Sequence, residues 1–212
     1  MGGKAMLHKV RVTVLERMLN ADLQRKYCAD PESGKCPCCH EGDEFIFERC
    51  GDRDDFWHCG AGTLVRTDVK SGQSERMAGG FGGVTHAGSK GVPFCSEAWD
   101  AVSRYIYTAL QGGSIMHGWM RDERVMIACC NDGTRPVIFR IERLDCRALY
   151  IEGIRCDGCR ERVRKALMAV PGVTDVKFRP EFTEAYLDRE VPDEALRQAA
   201  EGAGGYKVAR ID

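Results

Sequence analysis

Cys156 and Cys159 stand three positions apart in the run Gly153-Ile154-Arg155-Cys156-Asp157-Gly158-Cys159. Two thiols at that spacing can grip a soft metal ion, or they can act as a redox dithiol. A β-like run (Ala148–Ile151) leads into them and a helical pattern follows. Strand, glycine-bearing turn and helix start should therefore hold both sulfurs close together and partly exposed. Two thiolates suit Cu(I), which accepts low coordination, whereas Zn(II) asks for about four ligands in a tetrahedron. Near a helix N-terminus, the Cys159 thiol should ionise more readily than an ordinary cysteine. Arg155 adjoins the loop, where its charge would offset a bis-thiolate Cu(I) centre. The redox reading stays open at this level.

The sequence offers other thiols. Cys36-Pro37-Cys38-Cys39-His40, with Cys28 and further on Cys50, His58 and Cys59, supplies enough ligands for zinc or copper. Its spacing is not the paired CxxC of a zinc ribbon. Cys95 opens a predicted helix and Cys129-Cys130 end a predicted strand. Neighbouring strand residues face opposite sides, so only one of that pair readily joins a site; Cys130 meeting Cys95 is the expected combination. The N-terminal candidates for metal are thus Cys36, Cys38, Cys39, His40, Cys95 and Cys130. Met116-His117-x-x-Met120 carries soft donors, but Trp119 and the preceding glycines predict a packed loop. The glycines from Gly79 to Gly91 fail as a phosphate loop, because Gly88-Ser89-Lys90 reverses the required order. No residue stands out as a catalytic nucleophile, and whether the chain is an enzyme is left open.

The elements that must position these groups follow from periodicity. At the C-terminal end, Arg160–Val170 is helical with Val163, Ala166, Leu167 and Val170 on one side, and Pro171-Gly172 stops it. Val173–Phe178 and Phe182–Leu187 alternate as strands. A second helix runs from Asp193 through Ala200, and Tyr206–Ile211 closes as a strand. The order βαββαβ is the split ferredoxin-like unit. Upstream, the sequence predicts a strand over His8–Leu15, a helix over Ala21–Cys28 and a strand over Glu44–Arg49. A helix from Glu97 to Leu110, N-capped by Ser96, follows a long excursion over residues 51–92. Arg124–Cys130 and Arg135–Arg143 form a hairpin about Asn131-Asp132-Gly133-Thr134. The fold class is α+β: an irregular cysteine-rich domain at 6–145 and a ferredoxin-like domain at 147–212, with a joint at Asp145-Cys146-Arg147 too short to be a floppy linker.

Residues 147–212 resemble the heavy-metal-associated domain of copper chaperones and metal-exporting ATPases. That family's Gly-Met-x-Cys-x-x-Cys reads here as Gly153-Ile154-Arg155-Cys156-x-x-Cys159, and Pro171-Gly172-Val173 and Gly205-Tyr206 also match. Isoleucine replaces the family's methionine, a side chain that packs beneath the loop. The resemblance implies Cys156 and Cys159 as metal ligands, and a metal-transporting ATPase or another donor or acceptor protein as partner. The N-terminal part is similar to a family of small uncharacterised bacterial and archaeal proteins. Cys36-Pro37 with Glu41-Gly42-Asp43-Glu44-Phe45, Phe94-Cys95-Ser96-x-Ala98-Trp99 and Cys129-Cys130-x-Asp132-Gly133-x-Arg135-Pro136-Val137 carry that likeness, which implies a domain boundary and no activity.

Bulk properties narrow the classes. The 212 residues are 43% hydrophobic and 30% charged, enough for a core in each half. A net charge of -1 gives no basic footprint for nucleic acid. No run of about 18 apolar residues predicts a membrane span, and the charged N-terminus lacks a secretory apolar stretch, so a cytoplasmic chain is expected. Twelve cysteines in such a chain point to metal or redox work. The expected function is binding of a soft metal, Cu(I) foremost and Zn(II) next, in trafficking, storage or sensing. The alternatives are a thiol-dependent redox enzyme and a structural zinc domain in the N-terminal half.

Overall fold

Strict alternation builds β1 (Lys9–Arg17), which turns Val10, Val12 and Val14 inward. Its antiparallel neighbour β2 (Glu44–Arg49) buries Phe45 and Phe47 on the same principle. The computed structural model describes residues 8–49, 64–76 and 95–212. They divide into two units, Lys9–Arg143 and Leu144–Asp212, the second joined by His8.

In the first unit the strand order is β4-β3-β2-β1-β6, with β5 (Val125–Cys129) on β6 (Val137–Glu152) as well. A short helix α1 (Ala21–Tyr27) follows β1. The main helix α2 (Ser96–Leu110) packs on β5, β1 and β2 and buries Trp99, Val102, Ile106 and Leu110, the side its periodicity predicts. Trp99 meets Phe47 with ring centroids 6.0 Å apart. The cap differs from expectation: Cys95, not Ser96, is the N-cap, and its side chain makes no cap hydrogen bond.

The stretch read as one long excursion contains a hairpin, β3 (Leu64–Asp68) and β4 (Ser74–Arg76), which extends the sheet beyond β2. The reason it escaped is chemical. The inward positions of β3 are Leu64, Arg66 and Asp68, so two of three carry charge and no apolar alternation shows. The Arg66 guanidinium lies over the Phe45 ring at 5.7 Å. The glycine run after Arg76 lies outside the described residues.

A second correction concerns β6. The sequence separates Arg135–Arg143 from Ala148–Ile151 by a joint, yet Val137–Glu152 is one strand of 16 residues. From Leu144 onward it belongs to the second unit, where β6, α3 (Asp157–Met168), β7 (Val173–Phe178), β8 (Thr183–Leu187), α4 (Asp193–Gly202) and β9 (Lys207–Ile211) follow in the βαββαβ order. The sheet runs β9-β6-β8-β7 with every pair antiparallel. The two helices pack together over it and enclose Leu149, Val163, Leu167, Val176, Leu196 and Val208. Each fully buried leucine contributes roughly 1.5–3 kcal/mol relative to exposure. That core fixes the end of β6 and the start of α3, the two elements that carry the thiol loop.

Candidate metal centre

The loop leaves β6 at Gly153, whose φ of +93° few side chains tolerate. A Cβ there would lie 3.2 Å from the Gly205 carbonyl oxygen and 3.5 Å from the Tyr206 ring, so glycine lets the loop close on the segment before β9. Ile154 packs partly against the core below. Cys156 is the extended N-cap of α3, and its carbonyl oxygen accepts from the Cys159 amide at 3.0 Å and the Arg160 amide at 3.1 Å. Within this first turn the Cys156 and Cys159 sulfurs stand 3.1 Å apart, both as free thiols. Cys156 is exposed and Cys159 half-buried.

Several donors converge on Cys159. The Arg155 backbone amide hydrogen-bonds its sulfur, and Cys156 and the Tyr206 hydroxyl do so as well. Together they lower the Cys159 pKa to about 6, so the thiolate prevails at neutral pH. The Arg162 guanidinium completes the arrangement. Its Nη2 donates to the Cys159 sulfur at 3.5 Å and to the Tyr206 oxygen at 2.8 Å, and its Nε donates to that oxygen at 3.2 Å. Bonded to Cys159, the Tyr206 hydroxyl titrates above its ordinary range and stays a donor. The expectation for Arg155 thus changes in kind. Its side chain is exposed and its backbone amide faces the sulfur, while Arg162 brings the positive charge. Sequence reasoning passed over Arg162 and Tyr206. The signal for Arg162 was its place one helical turn after Cys159; Tyr206, 44 positions further on, is joined to it only by the fold.

In the first unit, Cys36, Cys38, Cys39, Cys95 and Cys130 all line one small cavity with Asp132 and Arg135. His40 does not line it: its ring is exposed and faces Asp43 at 3.7 Å. Cys28 lies elsewhere, and Cys129 is exposed, its thiol raised by partial burial and then by the neighbouring Cys130 side chain. Cys50, His58 and Cys59 fall outside the described residues. Burial, reinforced by neighbouring thiols, pushes Cys39 up to about 12, and burial first and then Cys36 raise Cys38 as well. Among the described residues, no three His, Cys, Asp or Glu side chains are grouped so as to hold a metal ion together. His117 pairs with Glu123 at 2.6 Å, and Trp119, expected to pack, is 73% exposed. No helix among the described residues is long and apolar enough to cross a membrane.

A strand-turn-helix loop with paired thiols on a ferredoxin-like sheet defines a class of metal-binding module, and residues 148–207 match the heavy-metal-associated domain family. That match assigns heavy-metal binding and trafficking to the C-terminal unit. The chain is also similar to a mercuric reductase of Acidithiobacillus ferrooxidans, at 44% identity over 62 residues. Those residues are 28% of this chain and 11% of that protein's length. No solved structure matches the chain.

Proposed function

We propose that Cys156 and Cys159 bind a soft, two-coordinate ion as cargo, with Cu(I) the ion the charge balance favours, and pass it to another thiol-bearing protein. The observation that carries this reading is the pair of sulfurs 3.1 Å apart with Arg162 against one of them. Two thiolates and a monovalent cation leave one negative charge, which the guanidinium neutralises. An exposed Cys156 beside an ionised Cys159 also suits exchange, since an incoming thiolate can reach the ion from solvent.

A second reading has Hg(II) as the cargo. Its support is the similarity to a protein named as a mercuric reductase. Both ions are soft and accept two sulfurs, so the protein fold serves either. Anaerobic titration of the full chain with Cu(I) and with Hg(II), each against a competing chelator, separates them. Cu(I) should be held more tightly relative to its competitor. Replacing both ligands (Cys156→Ser/Cys159→Ser) should weaken this site by more than about 100-fold, beyond the 10–100-fold typical of groups that only support ligands. Binding at the loop unchanged by that substitution would refute the reading.

A further inference from the structure

We propose that the thiol-lined cavity of the first unit is a second metal site, in which Cys36 and Cys38 hold a soft two-coordinate ion as a bis-thiolate. It is independent of the Cys156–Cys159 loop. Three segments of distant sequence meet there: the loop of Cys36, Cys38 and Cys39, the N-cap of α2 at Cys95, and the turn after β5 that carries Cys130, Asp132 and Arg135. Chance burial of cysteine as a small apolar residue would scatter these sulfurs through the core. Instead five cysteines line one space.

The size of that space selects the occupant. At about 50 Å³ it exceeds the roughly 10–15 Å³ that a water molecule needs. It falls far short of the roughly 300–1,000 Å³ of sites for small organic ligands. An ion fits and an organic substrate does not. Coordination number narrows the choice further. With no three potential ligands grouped around one point among the described residues, a tetrahedral Zn(II) set is not laid out. Cys36 and Cys38 are laid out as a pair on one loop, close enough that the Cys36 side chain helps raise the Cys38 thiol after burial.

The surroundings match a thiolate pair. Arg135 lies near both sulfurs, and Asp132 holds its guanidinium at 3.1 Å. The loop is fixed from behind by Arg17, whose Nη1 donates to the Cys36 carbonyl oxygen at 2.9 Å. Cys130 is held too, its sulfur accepting from the Val137 amide at 3.2 Å. On binding, each of the two thiols releases one proton to solvent as its sulfur forms a bond to the ion. With Cu(I) the centre carries one negative charge opposite Arg135; with Hg(II) it is neutral. No change of oxidation state is involved.

The test uses the full chain carrying Cys156→Ser/Cys159→Ser, so that the outcome is read apart from the exposed loop. Under anaerobic titration against a chelator, this protein should retain one equivalent of Cu(I) or Hg(II), and the two arms show which. Adding Cys36→Ser/Cys38→Ser should weaken that binding by about 100-fold or more, while Cys129→Ser leaves it unchanged. In the loop variant itself the bound ion should shield Cys36 and Cys38 from alkylation but not Cys28 or Cys129. That footprint stands even if the fourfold variant folds poorly. Failure to retain either ion, labelling of Cys36 and Cys38 unaffected by metal, or Zn(II) held as tightly as the softer ions would each overturn the proposal.

Discussion

The chain keeps thiols in two opposite electrostatic settings. At the start of α3, the Arg155 amide, Cys156 and the Tyr206 hydroxyl lower the Cys159 pKa to about 6, and the Arg162 guanidinium lies against the same sulfur. Beside α2, Cys39 is buried among other thiols and is pushed up to about 12. Sulfur is the same atom in both places. What differs is whether the neighbours stabilise its negative charge or merely exclude water from it. A thiolate formed in advance, at the surface, favours rapid exchange. A buried, protonated thiol such as Cys39 favours slow exchange, because it must lose its proton before its sulfur can attack.

The sharpest way to break this contrast is alkylation of metal-free protein, resolved by residue. At pH 7 about nine-tenths of Cys159 but only about 10⁻⁵ of Cys39 would be thiolate, from the values of about 6 and about 12. The more acidic thiolate is the weaker nucleophile, which offsets roughly half of that gap on a logarithmic scale. Cys159 should still react about 100-fold faster, and equal rates would abolish the distinction. The pH dependence has a definite sign. Cys159 labelling should rise through a midpoint of about 6 and then level off, and metal should be lost from the loop as pH falls below that value, when protons compete for the sulfur.

A smaller effect tests which neighbours matter. Arg162→Ala or Tyr206→Phe should move the Cys159 midpoint upward. A shift on the order of one unit would slow labelling at pH 6.5 by about threefold and leave the first unit's thiols untouched. Arg155→Ala should do less, because that residue acts through its backbone amide. The mildest perturbation is Gly153→Ala. It forces a Cβ against Gly205 at a φ of +93°, and should lower the thermal stability of the C-terminal unit by about 1–3 kcal/mol. A melt indistinguishable from wild type would show that the turn relaxes freely.

The two regions also differ in how far they could be read from sequence. The C-terminal unit was legible because its code is local. Val163 and Leu167 recur at helical spacing and Pro171-Gly172 stops that helix, although β7 and β8 do not show the alternation expected of them: β8 is buried along its whole length. Both thiols sit within one turn of helix. The first unit hides its logic in long-range pairing. β3 presents Arg66 and Asp68 inward, which no hydrophobic pattern reveals. Cys38 and Cys95 are distant in sequence and share a cavity only because α2 is laid across the sheet. Spacing suggested Cys95 with Cys130 but equally suggested His40, which the turn through Asp43 directs outward. The same limit applied at the loop, where Arg155 was the nearer basic residue in sequence and Arg162 the nearer in space.

The reach from Arg162 to Tyr206 has a consequence for biosynthesis. The ribosome adds Cys156 and Cys159 before Tyr206, which lies 44 positions beyond Arg162. During that interval the nascent thiols lack the Tyr206 hydroxyl and the closing contact at Gly153, and keep only the local contributions of the Arg155 amide and Cys156. The loop therefore acquires its full acidity only once Tyr206 is in place. Premature capture of metal or oxidant by a half-made chain is discouraged by the order in which the residues appear.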